Sequence, residues 1–262
     1  MQILITGGHS GLGMLLTRRL VEEGHSVSLI VRFMDRLADL GDITASLERI
    51  YVGDLADAKD RARLCKEINA ASERLDVLIN NAGVLLPDIQ LSPQGNEMHY
   101  EVNALAPIDL MLRLRPLLIK SELPRVVNVV SDDMSAKSLD VSTLLNPTKM
   151  RKLFGSYMVS KTALTHAGAF LAKKHGWSSI NVVSVTPGPN KTKMTAGDGM
   201  PFWLRPFRSL FFARPDVGAD RIYDVVFSRY PTGSFIKKGK VQPLGFDMQE
   251  KTFEEVFGSL AT

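Results

Sequence analysis

Short runs of consecutive apolar residues, rich in Val, Ile and Leu, alternate along this chain with longer stretches where polar residues punctuate the apolar ones. The runs at residues 2–6, 26–31, 49–52, 75–80, 125–131 and 179–185 have the length of strands and are too short for helices. Between them, residues 12–23, 58–72, 97–119 and 156–174 read as helices. Strands that are apolar on both faces and alternate with helices predict an α/β fold, a doubly wound parallel sheet covered on both sides. No repeat, low-complexity tract or linker interrupts this order, so residues 1–262 are expected to form one domain. The segment 191–214 breaks the pattern. From Met200 to Phe212 it is bulky, apolar and interrupted by two prolines. It reads as a packed surface segment, a substrate lid over an apolar pocket, or a peripheral membrane contact through Trp203; the lid is carried forward.

Composition narrows the classes. Apolar residues make up 45% and charged residues 23%, which fits a soluble globular protein and excludes a disordered chain. The single cysteine, Cys65, excludes an intramolecular disulfide and a cysteine-built metal site, and no metal is expected. The first strand begins at once, with no leader ahead of it, and no apolar run reaches membrane-spanning length; a cytoplasmic protein is expected. A formal charge of +4 is mildly basic. The basic residues are scattered among acidic ones, so nucleic acid is not an expected partner. Lys237, Lys238 and Lys240 come nearest to a cluster and read as a solvated turn.

The chemistry begins at Thr6-Gly7-Gly8-His9-Ser10-Gly11-Leu12-Gly13, which leaves the first strand and opens the first helix. Glycines there permit a tight turn and let backbone approach a pyrophosphate seated at the helix amino terminus. This is the phosphate-binding position of a Rossmann-type fold. The second strand ends in Arg32, where an NAD-using protein usually carries Asp or Glu for the ribose hydroxyls. A guanidinium suits a 2′-phosphate instead, so NADP(H) is expected ahead of NAD(H), with Arg36 and the Ser10 hydroxyl as further contacts.

Tyr157 and Lys161 lie four residues apart, on one face of a predicted helix. An ammonium beside a phenol, together with an oxidised nicotinamide, favours phenolate and suits Tyr157 to exchange a proton with a substrate oxygen. By itself Tyr-x-x-x-Lys is common by chance. Ser131 ends the fifth strand, where its hydroxyl can orient and polarise a carbonyl.

Taken together these motifs resemble the short-chain dehydrogenase/reductase family, whose glycine turn reads Thr-Gly-x-x-x-Gly-x-Gly, and the resemblance covers almost the whole chain. It implies that Gly7, Ser10, Gly11, Leu12 and Gly13 hold the cofactor phosphates. Asp54 and Leu55 would meet the adenine, and Asn80-Asn81-Ala82-Gly83 would flank the adenosine half. Pro187, Gly188 and Thr192 would lie at the nicotinamide. Ser131, Tyr157 and Lys161 would be catalytic, with Tyr157 and Lys161 also on the nicotinamide ribose and Asn103 supporting a water-linked relay to the lysine. The long interval 132–156 is similar to that of the retinol-dehydrogenase-like branch. It implies a small-molecule partner: a lipophilic aldehyde, ketone or alcohol. A carrier-bound 3-oxoacyl substrate, with Arg205 and Arg208 at the entrance, and a non-enzymatic dinucleotide-binding regulator or scaffold are the alternatives. Family members associate through helices matching 97–119 and 156–174, which implies a homodimer or homotetramer. Asn190, after Pro187-Gly188-Pro189, and the acidic pair Asp132-Asp133 depart from the family pattern.

Overall fold

The computed structural model describes residues 1–132, 137–148, 155–191, 193–200 and 212–260, with the side chains of 35, 36, 193 and 194 set aside. The predicted strands appear as β1 (Gln2–Thr6), β2 (Ser26–Val31), β3 (Arg49–Val52), β4 (Val77–Asn80), β5 (Arg125–Val129) and β6 (Asn181–Thr186), with ends shifted by up to two residues. Two more strands follow: β7 (Ser234–Lys237) and β8 (Lys240–Gln242). They form one sheet in the order β3-β2-β1-β4-β5-β6-β7-β8. The pairs are parallel from β3 through β7, and β8 returns antiparallel to β7. The sequence in which strands are added switches sides between β1 and β4. In a doubly wound sheet that point opens a crevice beyond the carboxyl ends of the strands.

Helices cover both faces. On one lie α1 (Gly11–Glu22) and, near the end of the chain, a helix at Pro215–Phe227; Leu16, Leu20, Ile222 and Val226 pack there against Ile5, Leu29 and Val183. On the other, α2 (Ala58–Ala71), α4 (Ala106–Leu118) and α6 (Ser156–Ala172) pack Leu64, Leu110, Leu114 and Leu164 against Leu4, Leu78 and Val126. Numbered in chain order, the short helices are α3 (Met98–Tyr100), α5 (Val141–Leu145) and α7 (Lys193–Ala196); Pro215–Phe227 is α8 and Glu250–Phe257 is α9. Among the described residues no helix is long and apolar enough to cross a membrane.

The single helix expected over 97–119 is instead three pieces. After α3 the backbone widens into a π-helical turn at Glu101–Leu105, where the amide of Ala106 reaches back to the Glu101 carbonyl. Pro107 explains the break: it has no amide to give Asn103, and its ring would crowd that carbonyl in an α-helix. Such a turn often marks a functional position, and this one carries Asn103.

The lysine-rich stretch read as a turn is the β7–β8 hairpin, with Lys237 paired to Lys240 and Lys238-Gly239 between them. The sheet ends on short strands, four residues in β3 and three in β8.

Candidate active site

A cleft of about 960 Å³ runs along the carboxyl ends of the strands. Gly7, Ser10, Gly11, Leu12, Arg32, Asp54, Leu55, Asn81, Ala82, Gly83, Ser131, Tyr157, Lys161, Pro187 and Gly188 all line it. Of the expected site residues, Gly13 and Asn103 stand just behind this wall, while Thr192 lies outside the described residues. So does half of the expected lid, including Trp203, Arg205 and Arg208.

The glycine turn is shaped for close approach. Gly11 has φ of 54°, a backbone that favours glycine. At Gly13 a side chain has no room: a Cβ would stand 2.5 Å from Asn81 Nδ2 and 2.6 Å from the Gly7 carbonyl. Asn81 latches β4 to this turn by donating to the Thr6 carbonyl at 2.9 Å, and the Thr6 hydroxyl accepts from the amides of Asn81 and Ala82. Sequence reading assigned Asn81 to the cofactor and missed Thr6.

Helix α1 begins at this turn with no side-chain cap and no acidic residue in its first turn. Its amino-terminal amides and positive dipole end therefore meet the cleft unneutralised, which suits a phosphate. Farther along, Asp54 closes its own loop by accepting from the Ala56 amide at 2.9 Å. Arg32 is exposed on the cleft wall, its guanidinium over the Phe33 ring. The open end of α1 and the glycine turn fit the phosphates of a dinucleotide.

At the other end of the cleft Tyr157 and Lys161 rise from α6, with Ser131 beside Tyr157 on the same wall. Lys161 is 4% exposed and donates to the Val129 carbonyl at 2.9 Å. Among the protein's own groups burial dominates at the phenol. Burial, reinforced by the charge of Asp132, pushes Tyr157 up to about 12, with the neighbouring Ser131 hydroxyl offsetting only part. Burial also pulls Lys161 down to about 8. The ammonium is turned to a backbone carbonyl, and a desolvated charge is costly for either group.

Asn103 spends its side chain on scaffolding. Its oxygen accepts from the Val84 amide at 2.8 Å, and its nitrogen donates to the Val84 carbonyl at 3.0 Å and to Ser160 Oγ at 3.2 Å. It thereby ties the strand-end loop to α6. Gly83 separates it from the lysine: a Cβ there would stand 3.0 Å from Asn103 Oδ1 and 3.3 Å from Lys161 Nζ.

Asp132 and Asn190 stood out in the sequence as departures, but their contacts, and the roles of His99, Arg221 and Arg61, were not foreseen. Asp132 accepts a hydrogen bond from the Thr186 hydroxyl and lies 3.5 Å from Lys237 Nζ. Asn190 folds back to donate to the carbonyls of Pro187 and Gly188, and Arg221 of α8 donates to the Pro187 carbonyl as well. The departure at Asn190 therefore tightens the turn after β6. Beside Tyr157, His99 meets its ring edge-on, pairs with Glu97 at 2.7 Å and accepts the Leu86 amide at 2.9 Å. Behind the adenosine end, Arg61 is 1% exposed and bonds Glu101 at 2.6 Å, Asp109 at 2.8 Å and the Leu55 carbonyl at 2.7 Å. Among the described residues no group of His, Cys, Asp and Glu side chains is placed to hold a metal ion.

Comparison with known proteins agrees with this geometry. Residues 1–199 match the family model described as short chain dehydrogenase. Mouse retinol dehydrogenase 11 is 28% identical over 225 residues, covering 82% of this chain and 70% of that protein. The Pseudomonas aeruginosa 3-oxoacyl-[acyl-carrier-protein] reductase of rhamnolipid biosynthesis is 27% identical, covering 73% of each chain. Among solved structures, the P. aeruginosa RhlG/NADP complex superposes with a TM-score of 0.69 at 26% identity, covering 90% of this chain and 93% of that one. An NADPH-bound carbonyl reductase from chicken fatty liver, with a TM-score of 0.70 at 20% identity over 92% of this chain and 98% of that one, shares the fold. The chain belongs to the short-chain dehydrogenase family, oxidoreductases of alcohol and carbonyl groups that use a nicotinamide dinucleotide, and within it resembles the retinol-dehydrogenase-like branch.

Proposed function

We propose that this protein is an NADP(H)-dependent enzyme that moves a hydride between nicotinamide and a lipophilic aldehyde or ketone, or the matching alcohol. The observation that carries the reading is one cleft with Arg32 and the open end of α1 at one side and Ser131, Tyr157 and Lys161 at the other. When bound, the nicotinamide supplies or accepts the hydride. Ser131 donates a hydrogen bond to the carbonyl oxygen and orients it. Tyr157, neutral before reduction, gives that oxygen a proton and is left as phenolate; in oxidation the phenolate takes the proton from the alcohol. Lys161 restores the proton and holds the nicotinamide ribose, and Asn103 keeps α6 and the loop after β4 in register for the water-linked relay. Leu85, Leu86, Met98, Met200 and Phe212 give the reacting end an apolar wall, which favours a lipophilic substrate. A homodimer or homotetramer formed through α4 and α6 belongs to the same reading, and light scattering of the purified protein measures it.

The test is fluorescence titration with NADPH and NADH, on the wild-type protein and on Arg32→Ala. Losing a charge-assisted contact of about 1.5–3 kcal/mol weakens NADPH binding about 10- to 100-fold and spares NADH. Tighter NADH binding in the wild type would overturn the cofactor choice. Turnover of retinal-like or aromatic carbonyls, abolished in Tyr157→Phe with binding retained, tests the chemistry. The similarity to a 3-oxoacyl-carrier reductase supports a second reading, and selective reduction of a carrier-linked substrate over free carbonyls would favour it.

A further inference from the structure

Beside Ser131 the cleft continues into a second basin of about 290 Å³, sharing Asp132, Thr186, Gly188 and Pro189 with it. Among the described residues of its wall, Arg221, Lys237 and Lys238 bring three cations against the one carboxylate of Asp132. That carboxylate is already engaged by the Thr186 hydroxyl, and its approach to Lys237 is a loose 3.5 Å. Arg221 is anchored by one donated bond, to the Pro187 carbonyl at 2.7 Å. A guanidinium has five N–H donors, so the rest remain for a ligand among the described residues.

Lys238 supplies an independent indication. It is the only non-glycine residue with positive φ among the described residues, at 50°, and it occupies the first central position of the two-residue β7–β8 turn. With Gly239 at φ of 71°, the turn has the geometry that favours Asn, Asp or Gly at that position. A lysine held there keeps a strained backbone where a relaxed residue would serve the turn equally well, and such strain collects at ligand sites. The solvated-turn reading of these lysines therefore describes their backbone and misses what they border.

We propose that this basin is an anion subsite of the active site, so that the natural substrate is a carbonyl compound, or its alcohol, bearing a carboxylate or phosphate near the reacting carbon. The inference rests on the oxidoreductase reading and deepens it. An apolar body along Leu85, Leu86 and Met98 with an anionic group in the basin would fix which way a lipophilic substrate presents its carbonyl to Ser131 and Tyr157.

The experiment compares four probes: a medium-chain ketone, the matching oxo acid, its methyl ester and a phosphorylated ketone. kcat/KM is measured with NADPH for the wild-type protein and for Lys238→Gly. Glycine suits the positive φ, so this variant folds at least as well while losing the cation. In the wild type the oxo acid or the phosphorylated ketone, whichever anion is native, outruns the ketone and ester at least tenfold. In Lys238→Gly that preference falls about tenfold, mostly through KM, and added salt reduces it in the wild type. Equal turnover of acid, ester, ketone and phosphorylated ketone by the wild type overturns the subsite and leaves the oxidoreductase reading intact. A second arm needs no turnover: calorimetric titration of inorganic phosphate into protein saturated with NADP+. Saturable binding weakened in Lys238→Gly supports the subsite even if every carbonyl probe fails, in which case it is the proposed function that falls. No phosphate binding together with no turnover overturns both.

Discussion

Lys161 is expected to destabilise the protein it serves. The side chain is 4% exposed, and its ammonium has the Val129 carbonyl as hydrogen-bond acceptor. Burial pulls its proton affinity from the ordinary 10.5 down to about 8. In the unfolded chain the lysine keeps its proton up to 10.5; in the folded ligand-free protein it loses it near 8. Between those values the unfolded state binds more protons, so the contribution of Lys161 to stability rises with pH; below 8 the full cost is present. At about 1.4 kcal/mol per pH unit the gap is roughly 3 kcal/mol. Lys161→Met keeps the apolar stem and removes the charge, while the Val129 carbonyl loses a donor at a cost of about 1 kcal/mol. The variant should therefore be about 2–3 kcal/mol more stable than the wild type at pH 7. At about 2–4 °C per kcal/mol for a chain of this size, its Tm should rise by roughly 4–12 °C. Urea unfolding of both proteins without cofactor, at pH 7 and at pH 10, measures the difference. It should shrink by most of its size at the higher pH, while turnover is lost at both. A variant less stable than the wild type at pH 7, or a difference independent of pH, would refute the reasoning.

Two other substitutions test the scaffold. Arg61→Leu leaves Glu101 and Asp109 buried without their shared guanidinium and should cost about 3–5 kcal/mol in urea unfolding. A loss below about 1 kcal/mol would mean the cluster contributes little. Gly13→Ala drives a Cβ against Asn81 Nδ2 and the Gly7 carbonyl, so stability should fall by about 1–3 kcal/mol and cofactor fluorescence titration should weaken with it; unchanged binding would show that the turn can relax.

What could be read from the sequence was what neighbours along the chain determine. The strands are legible because both their faces are buried, and the glycine turn, Ser131, Tyr157 and Lys161 because each sits at a fixed place relative to a strand or helix end. The rest depends on partners far apart in sequence. Arg61 looked like one more charge in a polar helix, since Glu101 and Asp109 lie 40 and 48 residues away. Thr6 stands in the glycine-turn motif, but it meets the amide of Asn81 across 75 residues, so nothing local shows this bond. Asp132 was visible as an oddity, but its effect on Tyr157 could not be read before β5 and β6 were set side by side. The π-helical turn left one local trace, Pro107, which the apolar periodicity of 97–119 overrode.

The two ends of the sheet bear on how these molecules behave in a crowd. A parallel sheet ends in unpaired backbone amides and carbonyls, a template on which another chain can add a strand. Here both ends are blunted. The β3 edge is four residues long and starts with Arg49, and β8 is three residues that begin with Lys240 and run antiparallel to the rest. A neighbouring molecule therefore meets a short, charged border where growth of a continuous sheet would have to start. Edge-to-edge aggregation is thereby discouraged.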